Sequence, residues 1–221
     1  MPLCRSIFHN ICDAWPWLPY VAPFAAFAAM TYLSAVLPIG DGGAYLIKTL
    51  TTGGTLAIFW SRLRIDIKWT FDGLALITGL GVFGAWIGLE GYYPQIGHAV
   101  FDPAMAGRDI SSISIGIRLM GASLLVPVIE EIFWRAFVMR FLVASEFNKV
   151  PLGQFTWYAF VLTAVAFGFE HHRWLPGIVA GVAYGVLLCR TRNLFSSIQA
   201  HAVTNLLLGL YVIYTEQWSF W

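Results

Sequence analysis

Apolar runs separated by short polar stretches make up most of the chain. A helix needs about 20 mostly apolar residues to cross a bilayer. The pattern therefore predicts an all-α, polytopic transmembrane helix bundle, with spans at Trp17–Ile39, Ala44–Trp60, Gly73–Tyr92, Ile113–Val126, Ile132–Ala144, Phe155–His171, Pro176–Cys189 and Leu194–Tyr214. The fourth and fifth runs flank Pro127 and form either one long helix or two pieces, so the sequence predicts seven or eight spans.

The composition supports a lipid-facing exterior. Hydrophobic residues make up 58% of the chain and charged residues 11%, with a mean hydropathy of +0.70, whereas soluble domains have about 25% charged residues. The net charge of +1 provides no basic surface for nucleic acid. The three cysteines, Cys4, Cys12 and Cys189, are odd in number and lack metal-ligand spacing, so they predict neither a zinc site nor a disulfide framework.

Basic residues predict the orientation in the membrane. They cluster in three loops, after the second span, after the middle helices and before the last span, as Arg62, Arg64, Lys68, Arg140, Lys149, Arg190 and Arg192. If residues 113–144 cross once, the three loops lie on one side, which the positive-inside rule makes cytoplasmic. The N-terminus is then cytoplasmic, and the loop Pro94–Ser112, with Asp102 and Asp109, lies outside. The first apolar run is too long for a signal peptide and is predicted to be retained.

Ionisable residues within the apolar runs of the second half are the candidates for function, because such groups are costly inside a bilayer. In the first cluster, Glu131 stands four residues before Arg135, the favourable spacing for an ion pair on one helix face. Glu130 points about 100° away from Glu131 and is left without a local partner. An unpaired carboxylate in a desolvated site is suited to act as a general base. The alternative is a buried salt-bridge cluster with Glu130 at an aqueous edge.

The second cluster lies at the end of the sixth run. Phe167 and His171 are four residues apart and share one helix face, and Gly168 permits the close approach of another helix. His172 falls on a different face, beside Arg173. A histidine in this position, taken alone, is more often an interfacial residue than a catalytic one.

The third cluster is His201 and Asn205, which also share a helix face. An imidazole and an amide aligned in this way present two hydrogen-bond donors to one point, as the stabilisation of an oxyanion requires. The alternative is an interhelical hydrogen-bonding pair worth around 1 kcal/mol. If the three helices pack together, they combine a base, an imidazole and oxyanion donors, which is the constellation of a hydrolase.

These three motifs resemble those of the CPBP family, which includes type II CAAX prenyl endopeptidases and bacteriocin-processing and immunity proteins. The resemblance covers Ser112–Tyr214 and includes a Gly-rich helix at Pro176–Arg192. The motifs in question are Glu130-Glu131-x-x-x-Arg135, Phe167-x-x-x-His171 and His201-x-x-x-Asn205. The form of the chain also loosely resembles the bacterial CAAX-protease-related proteins associated with exosortase systems. Since the sequence has no internal repeats or linkers, it predicts one membrane domain, 1–221, with N-terminal spans in 1–110, and the resemblance implies a catalytic core in 112–214.

The resemblance implies a glutamate-dependent intramembrane endopeptidase in a bacterial cytoplasmic membrane. Glu130, assisted by His171, would activate a water molecule, and His201 with Asn205 would stabilise the tetrahedral oxyanion. The expected partners are a peptide or protein substrate at the membrane and the lipid bilayer.

Supporting roles are also implied by the motifs. Glu131 and Arg135 would hold the helix and the base in place, and Phe167 belongs to the second motif. The additional His172 beside His171 departs from the family pattern, and the motif favours His171 as the residue used.

Three other functions are compatible with some of these residues. Glu130, His171 and His201 could form a zinc site with two histidines and one glutamate, but there is no His-Glu-x-x-His helix and no carboxylate evidently placed to orient the histidines. We therefore expect no cofactor. A non-catalytic membrane immunity or scaffold partner is the second alternative. A proton-coupled transporter is the third, and it is disfavoured because the polar groups lie in one half of the chain rather than in two matching halves.

Overall fold

The computed structural model describes residues 10–34, 41–97 and 108–221. These residues form helices and loops without a strand, which confirms the all-α prediction. The main helices are α1 (Leu18–Ser34), α2 (Asp41–Leu63), α3 (Gly73–Gly88), α4 (108–141), α5 (Trp157–Phe169), α6 (Trp174–Thr191) and α7 (Leu194–Thr215). The end of the first predicted span at 35–39, Cys4, Asp102 and the side chain of Asp109 lie outside the described residues.

Three of the helices in the described part of the chain are both long and apolar enough to cross a membrane. They are Ser112–Phe141 within α4, together with α6 and α7. Three further helices, α1, α3 and α5, are apolar but shorter, and α2 has 23 residues. The bundle is therefore that of an integral membrane protein.

The predicted fourth and fifth spans form one helix that continues through Pro127, which gives seven main helices in the described residues, within the predicted range of seven or eight. The proline ring would clash with the carbonyl of Ser123 in a regular α-helix. The wider π-helical stretch Gly121–Leu125, in which the Val126 N–H bonds to Gly121, removes this clash. A second π-helical stretch, Ile132–Val138, follows the turn that carries the paired glutamates.

Helix α5 ends earlier than predicted, and this moves His171 into the loop that follows it. With 13 residues, α5 is about 20 Å long at 1.5 Å per residue, whereas a hydrocarbon core is about 30 Å thick. Trp157 and Tyr158, at its start, are largely exposed, as is typical of residues at the membrane interface. Helix α5 is therefore shorter than a hydrocarbon core is thick, and His171 lies in the loop between its end and the start of α6 at Trp174.

Small residues set the packing of α5 against α6, as predicted for Gly168. A Cβ atom placed on Gly177 would lie 3.0 Å from the Gly168 Cα, and one placed on Gly181 would lie 2.7 Å from the Ala164 carbonyl oxygen. The two backbones are thus in direct contact, which only small residues permit. Helix α3 packs against α6 and α7, so these four helices enclose one side of the bundle.

The three basic loops lie at the same end of the bundle, as the sequence predicts. The Arg140 guanidinium forms an ion pair with Asp66 at 3.0 Å, which joins the end of α4 to the loop after α2. The Asn193 side chain donates a hydrogen bond to Thr70 at 2.9 Å, and Arg192 donates to the Leu152 carbonyl at 3.2 Å. We call this the basic end, formed by the loops 64–72, 142–156 and 192–193.

The opposite end is formed by the loops 89–97 and 170–173 and by the C-terminal residues 216–221. Arg173 joins all three, because its guanidinium binds both carboxylate oxygens of Glu90 at 2.8 and 2.9 Å and donates to the Ser219 carbonyl at 2.6 Å. The loop that carries His171 is therefore fixed by segments that lie far from it in the sequence.

Candidate functional site

The charged residues of α4 form a buried cluster with α7. Glu131 and Arg135 are 0% and 1% exposed, and their ion pair has an Nε–Oε2 distance of 3.2 Å, as the spacing predicts. The second carboxylate oxygen of Glu131 lies 3.0 Å from Nδ1 of His201. Because a carboxylate only accepts hydrogen bonds, Nδ1 of His201 carries the proton in this contact. Glu131 thus orients His201, a role that the sequence does not reveal.

Glu130 lies beside this cluster but takes no part in the ion pair of Glu131 with Arg135. Its side chain is buried, at 4% exposed, and its Oε2 has no hydrogen-bond partner among the described residues. The nearest imidazole nitrogen is Nε2 of His201, at 3.9 Å from Oε2. This distance is too long for a direct hydrogen bond. The structure therefore presents a free carboxylate next to an imidazole, inside the bundle.

Phe167 is the aromatic centre around which the other groups are arranged. Its ring lies 4.1 Å from the Arg135 guanidinium, 5.1 Å from the His171 ring and 5.8 Å from the His201 ring. The indole of Trp86, on α3, makes an edge contact with His171 at 5.5 Å. Phe167, which is 1% exposed, thus brings the second motif into contact with the first and the third.

The orientation of His171 follows from its contact with its own helix. Its Nδ1 lies 2.9 Å from the carbonyl oxygen of Phe167. A carbonyl only accepts hydrogen bonds, so Nδ1 carries the proton and Nε2 keeps its lone pair in the neutral ring. His171 can therefore accept a proton or a hydrogen bond at Nε2.

A tyrosine from the Gly-rich helix supports His201. The Tyr184 ring stacks on the His201 ring at 5.0 Å with an interplanar angle of 22°. Its hydroxyl donates to Thr204 at 2.7 Å, and Thr204 in turn donates to the Gly79 carbonyl at 3.0 Å. This chain of contacts ties α6, α7 and α3 together and holds the imidazole in place.

Asn205 lies one helical turn from His201 and faces the first π-helical stretch of α4. Its Nδ2 donates to the Ala122 carbonyl at 2.9 Å. An amide nitrogen has two hydrogens, so one donor is used in this contact and one remains. The structure places Asn205 between α7 and α4 but shows no direct contact of it with Glu130.

His172 lies apart from these residues. Its side chain is exposed, and its Nδ1 contacts the Ile96 carbonyl at 2.7 Å, while the Ile96 N–H donates to the His172 carbonyl at 2.9 Å. These contacts hold the loop 89–97 against the loop 170–173. The structure therefore gives His172 a place in the outer loops, whereas His171 faces the buried cluster.

Two residues near the site belong to none of the three motifs. Glu170 accepts a hydrogen bond of 2.8 Å from the indole N–H of Trp134, and Trp134 stands one turn after Glu130 on α4. The same criterion that selects Glu130, an ionisable group at the end of an apolar run, also applies to Glu170. Trp134 carries no such signal, because its indole is equally typical of the membrane interface.

The described residues contain no group of three or more His, Cys, Asp or Glu side chains arranged to hold a metal ion. The expectation that Glu130, His171 and His201 hold no zinc stays a prediction, which treatment with a chelator tests. The carboxylate that such a site needs to orient a histidine is present, as Glu131, but it lies against an arginine.

The fold and the site together define a helical membrane protein with a buried acid and imidazole centre. The model of the family described as type II CAAX prenyl endopeptidase Rce1-like matches residues 113–207. Over this stretch, which includes all three motifs, the chain resembles that family, and the resemblance predicted from the motifs is confirmed. No curated protein and no solved structure matches the chain.

Proposed function

We propose that the protein is an intramembrane endopeptidase that hydrolyses a peptide bond of a membrane-associated substrate. The observation that carries the proposal is the free oxygen of Glu130, buried and unpartnered among the described residues, beside an imidazole nitrogen at 3.9 Å. A protein does not retain such a costly group for stability, because a buried charge without a partner lowers the free energy of unfolding. The match to a peptidase family over residues 113–207 supports the same function.

In the proposed mechanism, Glu130 removes a proton from a water molecule that His171 also contacts through Nε2. The oxygen of this water attacks the carbonyl carbon of the substrate and forms a tetrahedral intermediate. The proton held by Glu130 then passes to the amide nitrogen, and the carbon–nitrogen bond breaks. General-base catalysis of this kind contributes about 10²- to 10⁴-fold in rate.

The oxyanion of the intermediate is stabilised by His201 and Asn205 in this mechanism. Because Nδ1 of His201 faces Glu131, its Nε2 donates only when the ring is protonated, and the negative charge of Glu131 stabilises that form. The remaining N–H of Asn205 supplies the second donor. Arg135 in turn holds Glu131 in place.

We further propose that the chain lies in a bacterial cytoplasmic membrane with the basic end and the N-terminus in the cytoplasm. The clustering of the three basic loops at one end supports this orientation through the positive-inside rule.

The experiment that tests the function is a comparison of membrane proteins from wild-type and Glu130→Ala cells by mass spectrometry of peptide termini. We expect one or a few membrane-associated proteins to remain unprocessed in the variant, at unchanged abundance of the protein itself. Identical termini in both strains, together with complementation of a deletion strain by Glu130→Ala, would instead support the non-catalytic partner.

A further inference from the structure

A third carboxylate borders the site at its opening. Glu170 immediately precedes His171, and its side chain is exposed, whereas Glu130 and Glu131 are buried. The indole N–H of Trp134 donates to Glu170 Oε2 at 2.8 Å, and the Trp134 ring contacts Phe167 at 6.3 Å. The carboxylate therefore lies between the exterior of the bundle and the aromatic centre of the site.

In the part of the chain that the structure describes, Glu170 has no cation beside it to balance its charge. It directly follows Phe169, the last residue of α5. An ionised carboxylate at the edge of an apolar site needs water or a cation. Within the described residues, no Lys, Arg or His nitrogen lies within ion-pair distance of Glu170, and the Trp134 indole is the polar partner that the structure shows.

The site also holds more carboxylates than cationic side chains. Glu130, Glu131 and Glu170 lie near one guanidinium, that of Arg135, which already pairs with Glu131. The buried Oε2 of Glu130 lacks a hydrogen-bond partner among the described residues, so two of the three carboxylates have no cationic partner of their own there.

We propose that Glu170 binds a positively charged lysine or arginine side chain of the peptide substrate close to the scissile bond. This inference rests on the proposed function and gives it a substrate class. The indole holds one carboxylate oxygen in place, and the exposed side remains open to a cation. The indole of Trp134, which donates to Glu170, suits the aliphatic stem or the guanidinium of such a residue.

The test is cleavage profiling with the purified full-length protein in lipid nanodiscs, on a mixed library of hydrophobic peptides read by mass spectrometry. Wild type, Glu170→Gln and Glu170→Lys are compared, with Glu146→Gln as the control, because Glu146 is an exposed carboxylate at the basic end, paired with Lys149. Glutamine retains an oxygen that accepts the Trp134 hydrogen bond, so Glu170→Gln removes the charge and keeps the contact. The melting temperature of each variant shows that the fold is intact.

We expect wild type and Glu146→Gln to favour peptides with Lys or Arg near the cleaved bond by roughly 10-fold or more, the size of a charge-assisted contact. Glu170→Gln should lose this preference mainly through KM, and Glu170→Lys should favour acidic residues instead. Three results would overturn the inference and leave the peptidase function intact. They are cleavage by wild type without a preference for basic residues, an unchanged preference in Glu170→Gln, and a fall of kcat in Glu170→Gln that is equal for all peptides. A wild-type protein that cleaves nothing, with termini in cells that do not depend on Glu130, would overturn both.

Discussion

Exchange of Glu131 for glutamine tests whether the two adjacent glutamates have different tasks. Glu131 is fully buried and contacts both Arg135, at 3.2 Å, and His201, at 3.0 Å. Glutamine has nearly the same shape but no charge, so the guanidinium of Arg135 loses its counter-ion. The remaining contacts of the Arg135 guanidinium are the Gly181 carbonyl at 3.4 Å and the rings of Phe167 and Tyr184. Removal of one partner from a buried ion pair costs about 3–5 kcal/mol.

Glu130→Gln should behave in the opposite way. This carboxylate has an unpartnered oxygen and no ion-pair partner other than the distant His201 nitrogen. Loss of its charge removes a desolvation cost, so we expect an unchanged or higher free energy of unfolding. Arg135→Met in the Glu131→Gln background should recover about 2 kcal/mol or more of the loss, because the unpaired buried charge is then gone.

Thermal unfolding in detergent, followed by tryptophan fluorescence, measures these effects. A loss of about 3–5 kcal/mol corresponds to a fall in melting temperature of roughly 6–20 °C for a chain of this size. The control is Glu146→Gln, which breaks an exposed ion pair with Lys149 and should change the free energy of unfolding by less than about 1 kcal/mol. Equal melting temperatures for Glu131→Gln and Glu130→Gln, or a double variant as unstable as the sum of its single changes, would refute the reasoning.

Three further predictions concern the outer loops, metal and topology. Glu90→Gln weakens the two contacts of Arg173 that hold the loop carrying His171, so kcat should fall about 10-fold or more. Glu90→Asp keeps the charge and should keep most of the activity, whereas Glu90→Ala should lose it as Glu90→Gln does. Treatment of the purified protein with a chelator should leave its peptidase activity unchanged, and a loss that zinc restores would contradict the glutamate mechanism. Single cysteines introduced at Asn148 and at Gln217 should react with an impermeant thiol reagent from opposite sides of the membrane, with Asn148 labelled only after the membrane is opened.

The local pairings within each motif could be predicted from the sequence, because helix spacing alone determines them. The ion pair of Glu131 with Arg135 is of this kind. The number of apolar runs also follows from the sequence, but whether α4 continues through Pro127 does not. That outcome depends on a π-helical stretch that relieves the proline clash, and no simple residue pattern specifies it.

Contacts between helices could not be predicted, because they depend on how the helices are aligned in depth. The early end of α5 places Glu170 and His171 in the loop before α6, and the antiparallel packing of α4 and α7 sets His201 against both glutamates. Glu90 and Arg173 are 83 residues apart in the sequence, and no periodicity connects them. The residues that position the site from outside the motifs are therefore visible only in the structure.

The measurement that tests the central claim most directly is peptide hydrolysis by the purified Glu130→Gln protein, in lipid nanodiscs, against wild type and Glu146→Gln. If the free carboxylate of Glu130 activates water, kcat/KM of Glu130→Gln should fall by about 10²- to 10⁴-fold, while its melting temperature stays at or above that of wild type. Glu146→Gln should match wild type. Wild-type turnover by Glu130→Gln would contradict the account.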